Sequence, residues 1–257
     1  MKLLVNDKQI DTDRLEKLGQ GVDGLVYRYN NLILKINLSD CMTKEKFNDF
    51  KLIREKLLED GIDIEDTKIV LPRDIIYPTE HVDSHNIQRG IFGYTESFHV
   101  ENHDNIYSFS TNDFINELEE LHNDIHSYLT PNEVGIIDTN HDNLLITDDN
   151  KVLLIDRDRD ITKSSYEVEK SMIIDNDYYA HNEKRFSQLV NRFLIRESIN
   201  KLREHITDGY KLMKIERKEE ERFRKIDDIY KILNEYACLY SYIDDNAERI
   251  YKKEKRK

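Results

Sequence analysis

The sequence predicts an α+β fold, with a mostly antiparallel sheet and one helix in front and a helical remainder behind. Three observations carry this. Short apolar-rich extended pieces recur up to about residue 97. One long stripe of period 3.6 follows from Phe114. From about residue 184 the pattern is helical and highly charged. With 257 residues, 38% of them hydrophobic, the chain can bury a sizeable core as one large domain or as two lobes, 1–96 and 97–257.

In chain order, Leu25–Tyr29 and Leu32–Leu38 read as strands. Asn30-Asn31 joins them, since asparagine tolerates the positive φ of a two-residue hairpin turn. Next, Phe47, Phe50, Ile53 or Arg54, Leu57 and Leu58 fall at helical spacing, with Thr43 as cap and Gly61 as stop. "TKIVLPRDIIY" and "NIQRGIFGYTE" read as two more strands, for about five strands and one helix before residue 97. Phe114, Leu118, Leu121, Ile125 and Leu129 then form one helical stripe, capped by Ser110, Thr111 or Asn112. "NLLI" and "KVLLI" make a small hairpin turned by "TDDN". "KIERKEEERFRK" reads as a solvated helix laced with i,i+4 pairs, and "KKEKRK" as a frayed tail.

Composition narrows the class. A net charge of −13 argues against general binding to nucleic acid or to an anionic membrane. The opening "MKLLVNDKQ" is too short in apolar residues for a secretory leader, and no run reaches the length of a membrane span. Cys41 and Cys238 stand far apart with no C-x-x-C and read as free thiols. A cytoplasmic location is the expectation.

Several residues carry chemistry. Gly19, Gly21, Gly24 and Val26 fit G-x-G-x-x-G-x-V, and they lead into a strand instead of a helix. That context excludes a dinucleotide fingerprint and leaves either a plain glycine turn or a strand–loop–strand bent over phosphates. Lys35, flanked by aliphatics on its strand, faces either solvent or the inside of a sheet, and taken alone it reads as solvent-facing. Behind such a loop it would face inward and neutralise phosphate charge, held by Glu45 or Glu55 of the next helix. The small hairpin brings Asn143, before its first strand, near Asp156, after its second. An amide oxygen and a carboxylate suit Mg²⁺. Asp138 lies where it could orient a hydroxyl and take its proton.

Taken together, Gly19–Val26, Lys35, Asp138-x-x-x-x-Asn143 and Asp156 resemble the protein-kinase-like superfamily over roughly residues 15–180. The resemblance implies a bilobal fold with a sheet-rich N-lobe, a helical C-lobe and ATP between them. It implies Lys35 on the α/β-phosphates paired with the helix glutamate, for which Glu55 has the better chain spacing. It also implies Asp138 as base, Asn143 and Asp156 on Mg²⁺, and backbone groups near Tyr94–Glu96 on the adenine edge.

The sequence departs from the family in places. H-R-D reads Ile136-Ile137-Asp138, so switching through the usual arginine is not expected. D-F-G reads Asp156-Arg157-Asp158, and Asp158 reads as a surface carboxylate, with a further ligand as the alternative. Asn140 replaces the lysine of Ser/Thr kinases, Ile33 would crowd the adenine roof, and no A-P-E appears. If Asp177 opens the next helix, the intervening segment is short, as in aminoglycoside- and choline-kinase-like enzymes. The expected activity is that of a serine/threonine protein kinase. A small-molecule kinase and a nucleotide-binding or scaffolding pseudokinase are the alternatives, and the C-terminal helices could dock a protein partner.

Three histidine pairs, His81/His85, His99/His103 and His122/His126, each offer at most two metal ligands. They read as solvated or helix-face histidines.

Overall fold

A computed structural model describes residues 1–21, 23–79, 90–99, 111–203, 213–214 and 217–218. The architecture is α+β. Seven strands form one antiparallel sheet in the order β2-β1-β6-β7-β5-β4-β3, and two more form a separate hairpin, β8-β9.

The central hairpin is the one the sequence implies: β4 (Gly24–Tyr29) and β5 (Leu32–Asn37), turned at Asn30 with φ 53°. β3 (Glu16–Gln20) pairs with β4, while β6 (Ile75–Pro78) and β7 (Gly93–Ser97) continue the sheet on the other side. The expected count of about five strands is too low. β1 (Lys2–Val5) and β2 (Lys8–Asp11) form an additional N-terminal hairpin. Asn6 and Asp7 turn it with φ 48° and 61°, both residues left-handed as a tight two-residue turn requires.

Period-two patterning sorts the sheet faces. Leu3, Val5, Ile10, Leu34, Ile36 and Ile76 pack into one small core. Lys35 and Ile33 point to the opposite face, beside their register partners Tyr94 and Glu96.

Helix α1 (Lys44–Glu59) starts where Thr43 accepts from the Lys46 N–H, and Gly61 follows its end at φ 77°. It buries Phe47, Phe50, Ile53 and Leu57 but leaves Leu58 exposed. These side chains share a second, larger core with Tyr94, Phe114, Leu118, Leu121 and Ile125, so one core crosses the division expected at residue 96. The stripe of α2 (Thr111–Asp124) is buried as its spacing requires, and a π turn over Ile125–Leu129 extends it. Ser110, one of its candidate caps, lies outside the described residues.

After the hairpin β8 (Leu144–Ile146) and β9 (Val152–Leu154) comes the one-turn α3 (Glu167–Lys170). Helix α4 (Tyr178–Arg203) begins earlier than residue 184, because the Asp177 carboxylate accepts from the Ala180 N–H and caps it. Residues 213–214 and 217–218 are helical; the charged segment around them and "KKEKRK" otherwise lie outside the described residues. Among the described residues, no helix is long and apolar enough to cross a membrane.

Candidate functional site

The site lies where the Lys35 face of the sheet meets the β8–β9 hairpin. Residues 68–73 join the two: the Leu154 N–H donates to the Lys68 carbonyl at 2.8 Å, the Val70 N–H to the Leu154 carbonyl at 2.9 Å, and the Arg73 N–H to the Thr95 carbonyl of β7 at 2.7 Å. Lys35 faces inward with 7% exposure, as expected of it behind a glycine loop and unlike the solvent-facing lysine it would be taken alone.

Its ammonium touches the Asp156 carboxylate and lies 2.8 Å from Asp158 Oδ2, an ion pair off hydrogen-bond alignment. Burial alone would lower the lysine's pKa. Asp158, Asp156 and Glu96 together outweigh it and raise the pKa above the ordinary value, so the cation persists.

The helix glutamates are elsewhere. Glu55 sits 3.5 Å from Lys51 one turn away, half exposed, and Glu45 is exposed on the first turn of α1. The expected pairing of either with Lys35 is replaced by Asp158, which is only 2% exposed and is not a surface carboxylate. Burial pushes the Asp158 carboxyl up, and Lys35 pulls it back.

The glycine loop closes over this corner. The Gly21 N–H donates to the Gly24 carbonyl at 2.9 Å. A Cβ at Gly24 would stand 2.9 Å from the Ile36 carbonyl oxygen, so the close approach of β4 to β5 requires glycine there. Gly19 and Gly21 face open space, and Val26 pairs in register with Lys35. Asp23, at the tip, accepts from Arg159 Nε at 2.8 Å and from Ser39 Oγ at 3.0 Å. Arg159 thereby ties the loop to the segment after β9.

Asp138 and Asn143 lie on the loop before β8. Asn143 is buried, and its Nδ2 donates to the Asp138 carbonyl at 3.3 Å. Asp138 is half-buried, and its Oδ1 accepts from the Asn140 N–H at 2.9 Å. Register pairing of Leu144 with Leu154, and the Ile155 N–H donating to the Asn143 carbonyl, place Asn143 beside Asp156 as the hairpin arithmetic requires. Asp156 sits at φ 61°, a left-handed conformation costly for a non-glycine residue and often found at functional sites. Its carboxylate is 40% exposed, open to a ligand. An amide and a carboxylate oxygen from adjoining backbone are a donor set that fits a hard divalent cation.

Residues invisible to sequence reasoning brace this loop. The Asp160 carboxylate accepts from the Ile137 N–H and pairs with Arg157 at 3.3 Å, both side chains fully buried. Burial raises the Asp160 carboxyl to about 6 despite Arg157. From α4, Asn182 accepts from the Ile136 N–H and donates to the Val134 carbonyl, while Arg192 donates to Thr139. Their partners are fixed by folding alone, and no local spacing announces them.

At β7 the backbone is engaged: the Thr95 N–H donates to the Asp74 carbonyl and its carbonyl accepts from the Arg73 N–H, while β5 pairs along the other edge. An edge-reading role for the backbone at Tyr94–Glu96 therefore finds it already taken up by the sheet. It is the side chains of Tyr94 and Glu96 that share the Lys35 face. Both are buried, and the Tyr94 hydroxyl and Glu96 Oε1 have no hydrogen-bond partner among the described residues. Burial pushes the Glu96 carboxyl up to about 8 despite the opposing pull of Lys35.

Cys41 is a free thiol, half-buried beside Asp23; Cys238 lies outside the described residues. Compared with known proteins, the chain matches no protein-family model and no curated protein.

Proposed function

We propose that the protein is an ATP- and Mg²⁺-dependent phosphotransferase that moves the γ-phosphoryl group to a serine or threonine hydroxyl of a protein. The observation that carries this reading is the convergence of Lys35 with Asp156, beside Asn143 and the Asp138 loop and beneath a glycine hairpin.

In this reading Lys35 binds the nucleotide phosphates as a point charge, and Asp158 would keep it in place with Asp156 given over to holding the metal. Asn143 and Asp156 would hold Mg²⁺, which supplies charge neutralisation for the phosphates. Asp138 orients the acceptor hydroxyl and takes its proton as the hydroxyl oxygen bonds to the γ-phosphorus. The bond from that phosphorus to the β–γ bridging oxygen breaks, and ADP leaves. Positioning and electrostatics supply the rate enhancement.

One observation favours a small-molecule acceptor as the second reading. Residues 157–176 are all that separate Asp156 from the capping Asp177, and Ile161 bridges back to Gly135, which leaves little chain for a protein-docking platform. A scaffolding pseudokinase is favoured by the pairing that already satisfies Lys35 without a ligand.

Incubation with γ-labelled ATP and Mg²⁺ separates the three. Transfer to a generic protein acceptor, lost in Asp156→Ala, supports the first. Transfer only to amino-alcohols or sugars supports the second. Nucleotide binding with no transfer to any acceptor supports the third.

A further inference from the structure

Helices α2 and α4 meet at a cluster that the phosphotransfer reading does not use. His122 on α2 and His126 on the π turn that extends it stand four residues apart, their ring centroids 4.5 Å apart. Glu183 reaches them from α4. Its Oε2 lies 2.6 Å from His122 Nε2 and 3.1 Å from His126 Nε2. The three ligand atoms all fall within 4.8 Å of one another. The histidine pair alone offers two ligands, and the fold supplies the third.

We propose that His122, His126 and Glu183 bind a zinc ion that ties α2 to α4. Two imidazoles and one carboxylate are a donor set that zinc favours, with a fourth position left for water. Metal–ligand distances of about 2.0–2.1 Å put tetrahedral ligand atoms about 3.3 Å apart. The two nitrogen–oxygen separations, 2.6 and 3.1 Å, need to open by about 0.7 and 0.2 Å to admit the ion.

The surroundings fit a ligand site. The cluster is half-buried, walled by Phe186, whose ring centroid is 5.4 Å from that of His122, and by Tyr179, 4.3 Å from His126. Thr130 Oγ1 lies 3.4 Å from His126 Nδ1 and is itself held by Asn182 Nδ2 at 3.0 Å. A hydrogen bond from Nδ1–H to that hydroxyl fixes the tautomer whose Nε2 lone pair faces the ion.

The placement has a consequence for the loop before β8. Asn182 and His181, next to Glu183 on α4, hold Val134 and Ile136. An ion that fixes this turn of α4 also fixes the approach to Asp138. The proposal stands whether or not the protein transfers phosphate, because its test reads metal and not activity.

The test uses the tag-free full chain, stripped with chelator and then dialysed against zinc or cobalt. The expected results are stoichiometric zinc with a raised melting temperature, and a tetrahedral visible spectrum with cobalt. Thr130→Val, which leaves all three ligands in place, should weaken zinc binding by about 10-fold. His122→Asn with His126→Asn should lose at least as much while the far-ultraviolet dichroism stays unchanged. A wild-type chain that takes up no zinc at micromolar concentration overturns the proposal. So does wild-type affinity in the double variant, which would place the ion on other histidines. Should the double variant not fold, the wild-type titration and Thr130→Val still decide.

Discussion

Asp158 Oδ2 stands 2.8 Å from Lys35 Nζ, and both side chains are shut away from solvent. The carboxylate that holds the lysine comes from the segment after β9, not from helix α1. Lys35 is thereby joined to the segment after β9, which places anchor and candidate metal ligand two residues apart just beyond that strand.

Removing that anchor is expected to cost stability. Asp158→Asn leaves the buried ammonium with Asp156 as its remaining ion-pair partner. Breaking a buried ion pair from one side costs about 3–5 kcal/mol, and the remaining pair holds the loss near the lower end. Urea unfolding measures it. A change within about 0.5 kcal/mol, as at an ordinary surface site, would show that Asp158 carries no such load.

Glu96 gives a pH signature. Folded, its carboxyl keeps the proton up to about 8, against an ordinary value of 4.5. Between those values the folded chain binds more protons than the unfolded chain, so this group lowers stability as pH rises and adds nothing below the window. Glu96→Gln removes the titration. Its melting temperature is expected to equal wild type near pH 4.5 and to exceed it by several degrees at pH 9. Parallel curves across that range would contradict the assignment.

Much of the fold was legible because local pattern and tertiary environment agree. Asn30-Asn31 marked the β4–β5 turn, the Phe114–Leu129 stripe marked α2, and the spacing from Asn143 to Asp156 marked a hairpin that closes as expected. The Asn6-Asp7 turn carried the same kind of signal as Asn30-Asn31, but the strands beside it are only four residues long. What local pattern could not supply was which carboxylate reaches Lys35. Glu55 had the right chain spacing and the wrong side of the helix, whereas Asp158 and Glu96 depend on long-range contacts and on strand register. Glu183 is the same case: nothing near His122 or His126 in sequence points to it.

The Asp23–Arg159 pair is expected to govern the glycine loop more than global stability. Partly exposed pairs contribute about 0–1 kcal/mol, so Arg159→Ala should unfold at nearly the wild-type urea concentration. Hydrogen exchange should nonetheless quicken at the Leu38 amide, which donates to the Asp23 carbonyl, and at the tip of the loop. Unchanged exchange there would show that the pair is incidental.

Arg157 and Asp160 should behave as a unit. Arg157 is fully buried, and Asp160 also holds the Ile137 N–H, so either single change, Arg157→Met or Asp160→Asn, strands a buried charge. Each is expected to cost about 3–5 kcal/mol, and the double variant clearly less than their sum. Strict additivity in a double-mutant cycle would refute the coupling.

Calorimetric titration with Mg²⁺ and a non-hydrolysable ATP analogue tests the proposed phosphate site most directly. The wild-type chain should bind one nucleotide. Lys35→Met and Asp156→Asn, each folded by circular dichroism, should bind it at least about 10-fold more weakly, the loss of roughly one charged contact of 1.4 kcal/mol or more. No binding by the wild-type chain, or equal binding by all three, would contradict a triphosphate held between β5 and the end of β9.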